Sequence, residues 1–273
     1  SSLAWGLGYF GQPHILVRFM AVDSVKSIPN ARRIGMTWMT LCLGGAVAAG
    51  FFGIAYFQQH PELAGVVNAN PETVFMELTK ILFNPWVAGV VLAAILAAVM
   101  STLSCQLLVC SSTLTEDFYK SFLRKNASQN ELVWVGRGMV LMIALLAIWM
   151  AGNPESKVLG LVSYAWAGFG AAFGPLIILS LFWKRMTLNG AIVGMVVGAV
   201  SVIVWKNTMA DTGLYEIVPG FILSFISIIT VSLLGKAPSQ DVVERFEHAD
   251  GLYKQAMQEL KEPRLPASDP RLD

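Results

Sequence analysis

Ala98, Ser101, Thr102 and Cys105 recur at i, i+3, i+4 and i+7, and on a helix that spacing puts them on one face. They lie in an uncharged run from Ile81 to Thr115, longer than the roughly 20 apolar residues that cross a hydrocarbon core. Asn84-Pro85 starts the helix, with Asn as its cap and Pro at the first helical position. Counted from Pro85, Ser101 and Thr102 fall a little past mid-span. Two chemistries fit such a stripe. Small residues let a second helix approach closely, and each hydroxyl can bond back to the carbonyl four residues earlier. Alternatively, the hydroxyls offer oxygen atoms to a small hard cation.

A second set opens the chain. Trp5 and Tyr9 are spaced i, i+4 within residues 1–17, which carry no charge. Gly6, Gly8, Gly11 and Pro13 fall within eight positions and make a poor continuous helix. At membrane depth a broken helix is tolerated only where it is buried in protein or lines a cavity. One reading is a helix end with an interfacial aromatic belt. The other is an unwound segment that presents backbone groups and two aromatic rings to a substrate.

Both sets need long apolar elements to hold them, and the composition supplies these. The chain has 273 residues, 55% of them hydrophobic and only 14% charged. Its mean hydropathy of +0.59 belongs to a membrane protein rather than to a soluble core. The formal net charge of +1 gives no bulk attraction for nucleic acid. Cys42, Cys105 and Cys110 sit in apolar runs, without a disulfide framework or metal-ligand spacing. His14, His60 and His248 are scattered, and no acid–base pair or nucleophile motif suggests an enzyme. The chain opens Ser-Ser-Leu, with neither Met nor a charged leader, and is expected to be a fragment whose N-terminal part is missing.

Hydropathy predicts seven spans, at about 1–17, 34–57, 85–112, 132–150, 158–183, 188–205 and 217–235. Polar loops are expected at 18–33, 58–80 and 116–125, the second holding a short amphipathic helix from Pro71 to Leu82. Arg137 lies near the start of its span and can snorkel outward. Gly174-Pro175 marks a bending point in the fifth span. Residues 239–260 suit an amphipathic helix, and the rest of the tail is expected to be disordered. Ten Lys and Arg flank the spans on the side holding residues 18–33, 116–125, Lys184-Arg185 and Lys236; three, Lys80, Lys157 and Lys206, flank the other. The positive-inside rule makes the first side, and the tail, cytoplasmic.

Several of these stretches resemble motifs of the sodium:solute symporter family. They are Gly8-Tyr9-Phe10-Gly11-Gln12-Pro13-His14, the run from Ser101 to Ser112, and Arg185 followed by Gly190-Ala191, Gly194 and Gly198. Asn84-Pro85-Trp86, Glu116-Asp117, residues 160–170 and residues 234–238 are similar to the proline-transporting branch of that family. The likeness runs from residue 1 to about residue 240.

The resemblance implies an all-α polytopic membrane protein with a LeuT-like inverted-repeat fold. Residues 1–157 and 158–183 would form the second repeat, residues 188–235 two added C-terminal helices, and residues 236–273 a cytoplasmic tail. It also implies sodium-coupled uptake of L-proline across the bacterial cytoplasmic (inner) membrane. The Ala98 carbonyl and the Ser101 and Thr102 hydroxyls would be ligands of the co-transported Na⁺. Trp5, Tyr9 and Pro13 would serve proline binding and gating. The remaining ligands would come from the missing N-terminal half of the same protein, within the lipid bilayer. Other substrates, a different amino acid or a small carboxylate, stay open. A membrane sensor module of the same fold is the other alternative; about 38 residues follow the last span, too few for a fused kinase.

Overall fold

The computed structural model of the protein describes residues 2–24, 27–152 and 157–261. Ser1, Lys26 and the tail beyond Lys261, all covered by the expectations above, lie outside the described residues. The elements are α1 (Ser2–Gly8), a 3₁₀ turn (Tyr9–Gly11), α2 (Pro13–Met20), α3 (Ile28–Gln59), α4 (Gly65–Ala69), α5 (Val74–Leu82) and α6 (Pro85–Ser112). Next come a π-helix (Thr113–Leu123), α7 (Gln129–Ala151), α8 (Val158–Phe182), α9 (Leu188–Thr208), α10 (Ile217–Leu234) and α11 (Gln240–Lys261). No strand occurs among the described residues.

Among the described residues six helices are long and apolar enough to cross a membrane: α3, α6 with its π extension, α7, α8, α9 and α10. The expected span at 1–17 is α1, one 3₁₀ turn and α2, broken where its glycines and Pro13 predict, and neither piece is long enough to cross alone. Residues 18–33 are not a continuous loop, because α2 runs to Met20 and α3 begins at Ile28. The loop expected at 116–125 is also corrected. Its charges mark polar surroundings, not the end of a helix. The Arg124 amide donates to the Tyr119 carbonyl five residues back, and Ser121 Oγ reaches the Glu116 carbonyl at the same spacing. Asn84 caps α6 as expected, accepting from the Val87 amide at 3.0 Å, with Pro85 next in line.

The chain divides into two compact units, Ser1–Lys26 with Ala147–Asp273, and Ser27–Leu146. In the first, α8, α9 and α10 pack on one another through small residues. A Cβ on Gly194 would run into the Ile228 side chain, and one on Gly198 into the Ala171 carbonyl. Gly190, Gly194 and Gly198 thus form a stripe on which neighbouring backbones close in. Thr187 caps α9 by accepting from the Gly190 amide at 3.1 Å, and its own hydroxyl and amide both donate to Ser232 Oγ of α10. The Arg185 guanidinium donates to the Leu233 carbonyl at the end of α10. Ala4, Ala167, Ala171, Val202 and Ile217 form the buried cluster beneath. Pro175 lies inside α8 and is buried.

In the second unit, Gly53 of α3 receives Val74 of α5, and the Thr79 hydroxyl donates to the Phe75 carbonyl within α5. The π-helix is tied to the start of α7: Tyr119 Oη donates to Glu131 Oε1 at 2.8 Å, and Arg124 Nε reaches the same oxygen at 3.2 Å. Arg137 lies over the Trp134 ring, 5.0 Å from its centroid.

Candidate functional site

Two places carry the predicted site residues, one in each unit. In the first unit the break between α1 and α2 falls at Gln12, whose backbone is extended (φ −85°, ψ 115°). Pro13 produces it, because the residue before a proline avoids the helical region. Pro13 therefore enters the site through the backbone and stands half-buried at the first position of α2.

Glycine lets this segment lie directly against α8. A Cβ on Gly8 would collide with the Trp166 indole, and one on Gly11 with the Phe169 carbonyl. Two carbonyls of the segment, those of Gly8 and Trp5, find side-chain partners on the spot. Gln12 is only 4% exposed, and its Nε2 donates to the Gly8 carbonyl and to the Trp166 carbonyl, both at 3.2 Å. Trp166 Nε1 in turn donates to the Trp5 carbonyl at 3.0 Å.

Trp5 and Tyr9 do not form a free belt; both rest on one ring. The Trp5 and Trp166 centroids are 5.3 Å apart, tilted by 37°. Tyr9 meets the same indole edge-on at 4.9 Å and 84°. Tyr9 remains 41% exposed and Trp5 is half-buried, so each keeps surface for contact beyond the unit's core. Trp166 and Gln12 were missed by sequence reasoning as parts of this site. The one signal for Gln12 was an amide side chain in an otherwise apolar segment.

In the second unit, Ala98, Ser101 and Thr102 lie together on an open face of α6. Thr102 Oγ1 donates to the Ala98 carbonyl at 3.1 Å, the back-bonded form. That bond uses the Thr102 proton but neither of its lone pairs, whereas the Ala98 carbonyl, which also takes the Thr102 amide in the helix ladder, has both lone pairs engaged. Turning the proton toward Ala98 directs the hydroxyl's acceptor side away from the helix. Ser101 makes no hydrogen bond within the described residues, so its hydroxyl is free to turn. Two hydroxyl oxygens on one open face are thus able to accept a cation, and the Ala98 carbonyl can join them when the Thr102 hydroxyl turns away from it. No group of three or more His, Cys, Asp or Glu that could hold a metal ion occurs among the described residues.

The sodium:solute symporter family model matches residues 1–198. The chain belongs to the sodium:solute symporter family. The match contains both sets of site residues and the Gly190–Gly198 stripe, and it ends within α9. Among relatives, the sodium/proline symporter of Escherichia coli (strain K12) is 68% identical over 256 residues, covering 94% of this chain and 51% of that protein. The sodium/proline symporter of Haemophilus influenzae is 61% identical over 260 residues, covering 94% of this chain and 52% of the relative. The high-affinity proline transporter PutP of Bacillus subtilis (strain 168) is 56% identical over 246 residues, 90% of this chain and 51% of the relative. The chain spans about half the length of the curated relatives it matches.

Proposed function

We propose that the full-length protein bearing this chain takes up L-proline by coupling it to inward Na⁺ movement across the bacterial cytoplasmic membrane. The observation that carries this reading is the 68% identity to a sodium/proline symporter over 94% of the chain. Na⁺ is cargo here. The Ala98 carbonyl and the Ser101 and Thr102 hydroxyls supply part of its oxygen shell, and the half of the protein outside this chain supplies the rest. Neutral oxygens hold a monovalent ion without a fixed counter-charge, which favours release as well as capture. Trp5 and Tyr9 offer aromatic faces to the pyrrolidine ring and its cationic nitrogen. Pro13 sets the break that frees backbone groups for the substrate carboxylate.

The protein makes and breaks no covalent bond in this reading, so it is a carrier and not an enzyme. Each Na⁺ entering gains about 2.3 kcal/mol per 100 mV of membrane potential, available to drive the solute uphill. Coupling requires that ion and solute favour the same state of the carrier. The chain then forms the second repeat of a LeuT-like fold plus two added helices, with α11 in the cytoplasm.

The test uses a chimera that places this chain behind the amino-terminal half of the Escherichia coli relative. Radiolabelled proline uptake should require Na⁺. Thr102→Ala should raise the Na⁺ concentration for half-maximal uptake at unchanged membrane abundance, and Trp5→Ala should raise the proline concentration instead. Unaltered Na⁺ dependence in both Ser101→Ala and Thr102→Ala would return the stripe to helix packing.

A further inference from the structure

The turn between α9 and α10 reaches back to the substrate face. Residues 210–212 form a 3₁₀ turn, closed by Gly213 in the left-handed region (φ +67°), which a side chain would strain. Trp205 Nε1 donates to the Leu214 carbonyl at 3.2 Å, fixing the turn to α9. Lys206 Nζ stands 3.5 Å from Oε1 of the buried Glu216, a charge pairing without hydrogen-bond alignment. These ties deliver Tyr215 onto Trp5. The two rings stack with centroids 6.2 Å apart and planes at 30°. Tyr215 Oη donates to the Ser163 carbonyl of α8 at 2.6 Å. Ser163 is one helical turn before Trp166, so Tyr215 and Trp166 are anchored side by side on α8.

Trp5 therefore packs on two aromatic rings, one from α8 and one from the turn. Beside it lies a cavity of about 310 Å³, bordered by Tyr215, Lys206 and Glu216. Tyr215 also lies beyond residues 1–198, the part matched by the family as a whole. A feature outside the shared pattern suits solute selection better than the common ion step.

We propose that Tyr215 is a positioning residue: by clamping Trp5 against Trp166 it sets the affinity for the cyclic solute. The proposal rests on the reading of Trp5 as a proline contact. The phenol stays protonated at working pH, because burial, with the neighbouring Glu216 carboxylate, pushes it up to about 12, and the bond to Ser163 persists.

The experiment is a double-mutant cycle in the chimera, reading half-saturation for proline, half-saturation for Na⁺ and membrane abundance. Tyr215→Leu should raise the proline value about threefold to tenfold, the change that loss of one aromatic pair corresponds to. The Na⁺ value should move less than about twofold, well below the coupling expected between residues in contact. Tyr215→Phe keeps the ring and loses the bond, so its shift should be smaller; it carries the test if Tyr215→Leu fails to reach the membrane. In a Trp5→Ala background the Tyr215 substitutions should add nothing. Full additivity, or an unchanged proline value in both Tyr215 variants beside an impaired Trp5→Ala, overturns the clamp alone. An unchanged Trp5→Ala overturns the substrate reading and the clamp together.

Discussion

The helices of the two units solve the same problem differently. In α8, α9 and α10, 39%, 28% and 28% of the most apolar 18-residue window is buried; in α3 and α6 the figures are 11% and 6%. Hydropathy does not explain the gap, since α6 is as apolar as α10. Small residues do. In the first unit Gly170, Gly174, Gly194, Gly198 and Gly220 each lie where a Cβ would strike a neighbouring helix; in the second, Gly44, Gly45, Gly50 and Gly89 face open space. Lipid tails are as apolar as leucine, so apolar surface alone gives membrane helices no reason to pair. Close approach at glycine does. The first unit has completed its approaches; in the second, Gly53 has met α5, but Gly44, Gly45, Gly50 and Gly89 meet nothing among the described residues.

The largest effect that sharpens this contrast is on transport itself. The 273-residue chain reconstituted alone in liposomes should show no Na⁺-driven proline uptake, and co-expression with the amino-terminal half of a relative should restore some. Robust uptake by the chain alone would mean that the open faces need no partner.

Next come the glycines. Gly198→Val should cost about 3 kcal/mol or more, because the added methyls meet the backbone of α8 rather than a side chain that can turn aside. Gly44→Val in the isolated chain should stay within about 0.5 kcal/mol. Thermal stability in detergent checks both. Equal losses would erase the distinction, and a larger Gly44→Val loss in the chimera than in the chain would measure what the other half contributes at that face.

A smaller pair tests the packed unit from inside α10. Ser232→Ala removes the acceptor of the Thr187 amide and hydroxyl and should cost about 1–2 kcal/mol. Ser224 is fully buried, and its hydroxyl has no hydrogen-bond partner among the described residues, so Ser224→Ala should be neutral or stabilising by about 1 kcal/mol. The same thermal assay ranks them, and a reversed order would show that these hydroxyls are not what fixes α10.

The smallest effect is a titration. The Tyr215 phenol has a folded value of about 12 against an ordinary 10, so its protonated form is favoured by folding. That contribution is complete below pH 10 and fades as pH rises from 10 to 12. Phenolate absorbance near pH 10 should fall short of the denatured chain's, because Tyr215 and the Glu131-bonded Tyr119 are both raised, and Tyr215→Phe should remove only the Tyr215 part of that deficit.

What could be read from the sequence was local. Asn84-Pro85 announced the start of α6, because a cap is written in adjacent residues. Pro13 and its glycines announced the break, because proline dictates its neighbour's backbone. The partners of the break were not legible. Trp166 lies 161 residues from the carbonyl it binds and Gln12 lies 154 residues from one of its acceptors, and no pattern in a single sequence pairs such positions. Tyr215 was hidden for the same reason. At Thr102 the sequence offered a back-bond and a cation ligand as rivals, and the geometry makes them compatible. The π-helix was misread because Glu116, Asp117 and Lys120 looked like a loop, whereas Lys120 and Glu116 pair along the helix at 2.9 Å.

That π-helix is also spare length. Each residue of an α-helix turns the rest of the rod by about 100°, so deleting one between Pro85 and Ala98 would swing the hydroxyl face away from its present bearing relative to the Asn84 cap. Deleting one between Thr113 and Leu123 need only tighten a wide turn into an ordinary one. The ladder beyond it can still bring Tyr119 and Arg124 to Glu131. Length variation among related chains should accordingly gather in this stretch and be absent from the thirteen residues before Ala98. The π segment acts as a mechanical expansion joint, letting evolution change the chain's length without re-aiming the hydroxyl face.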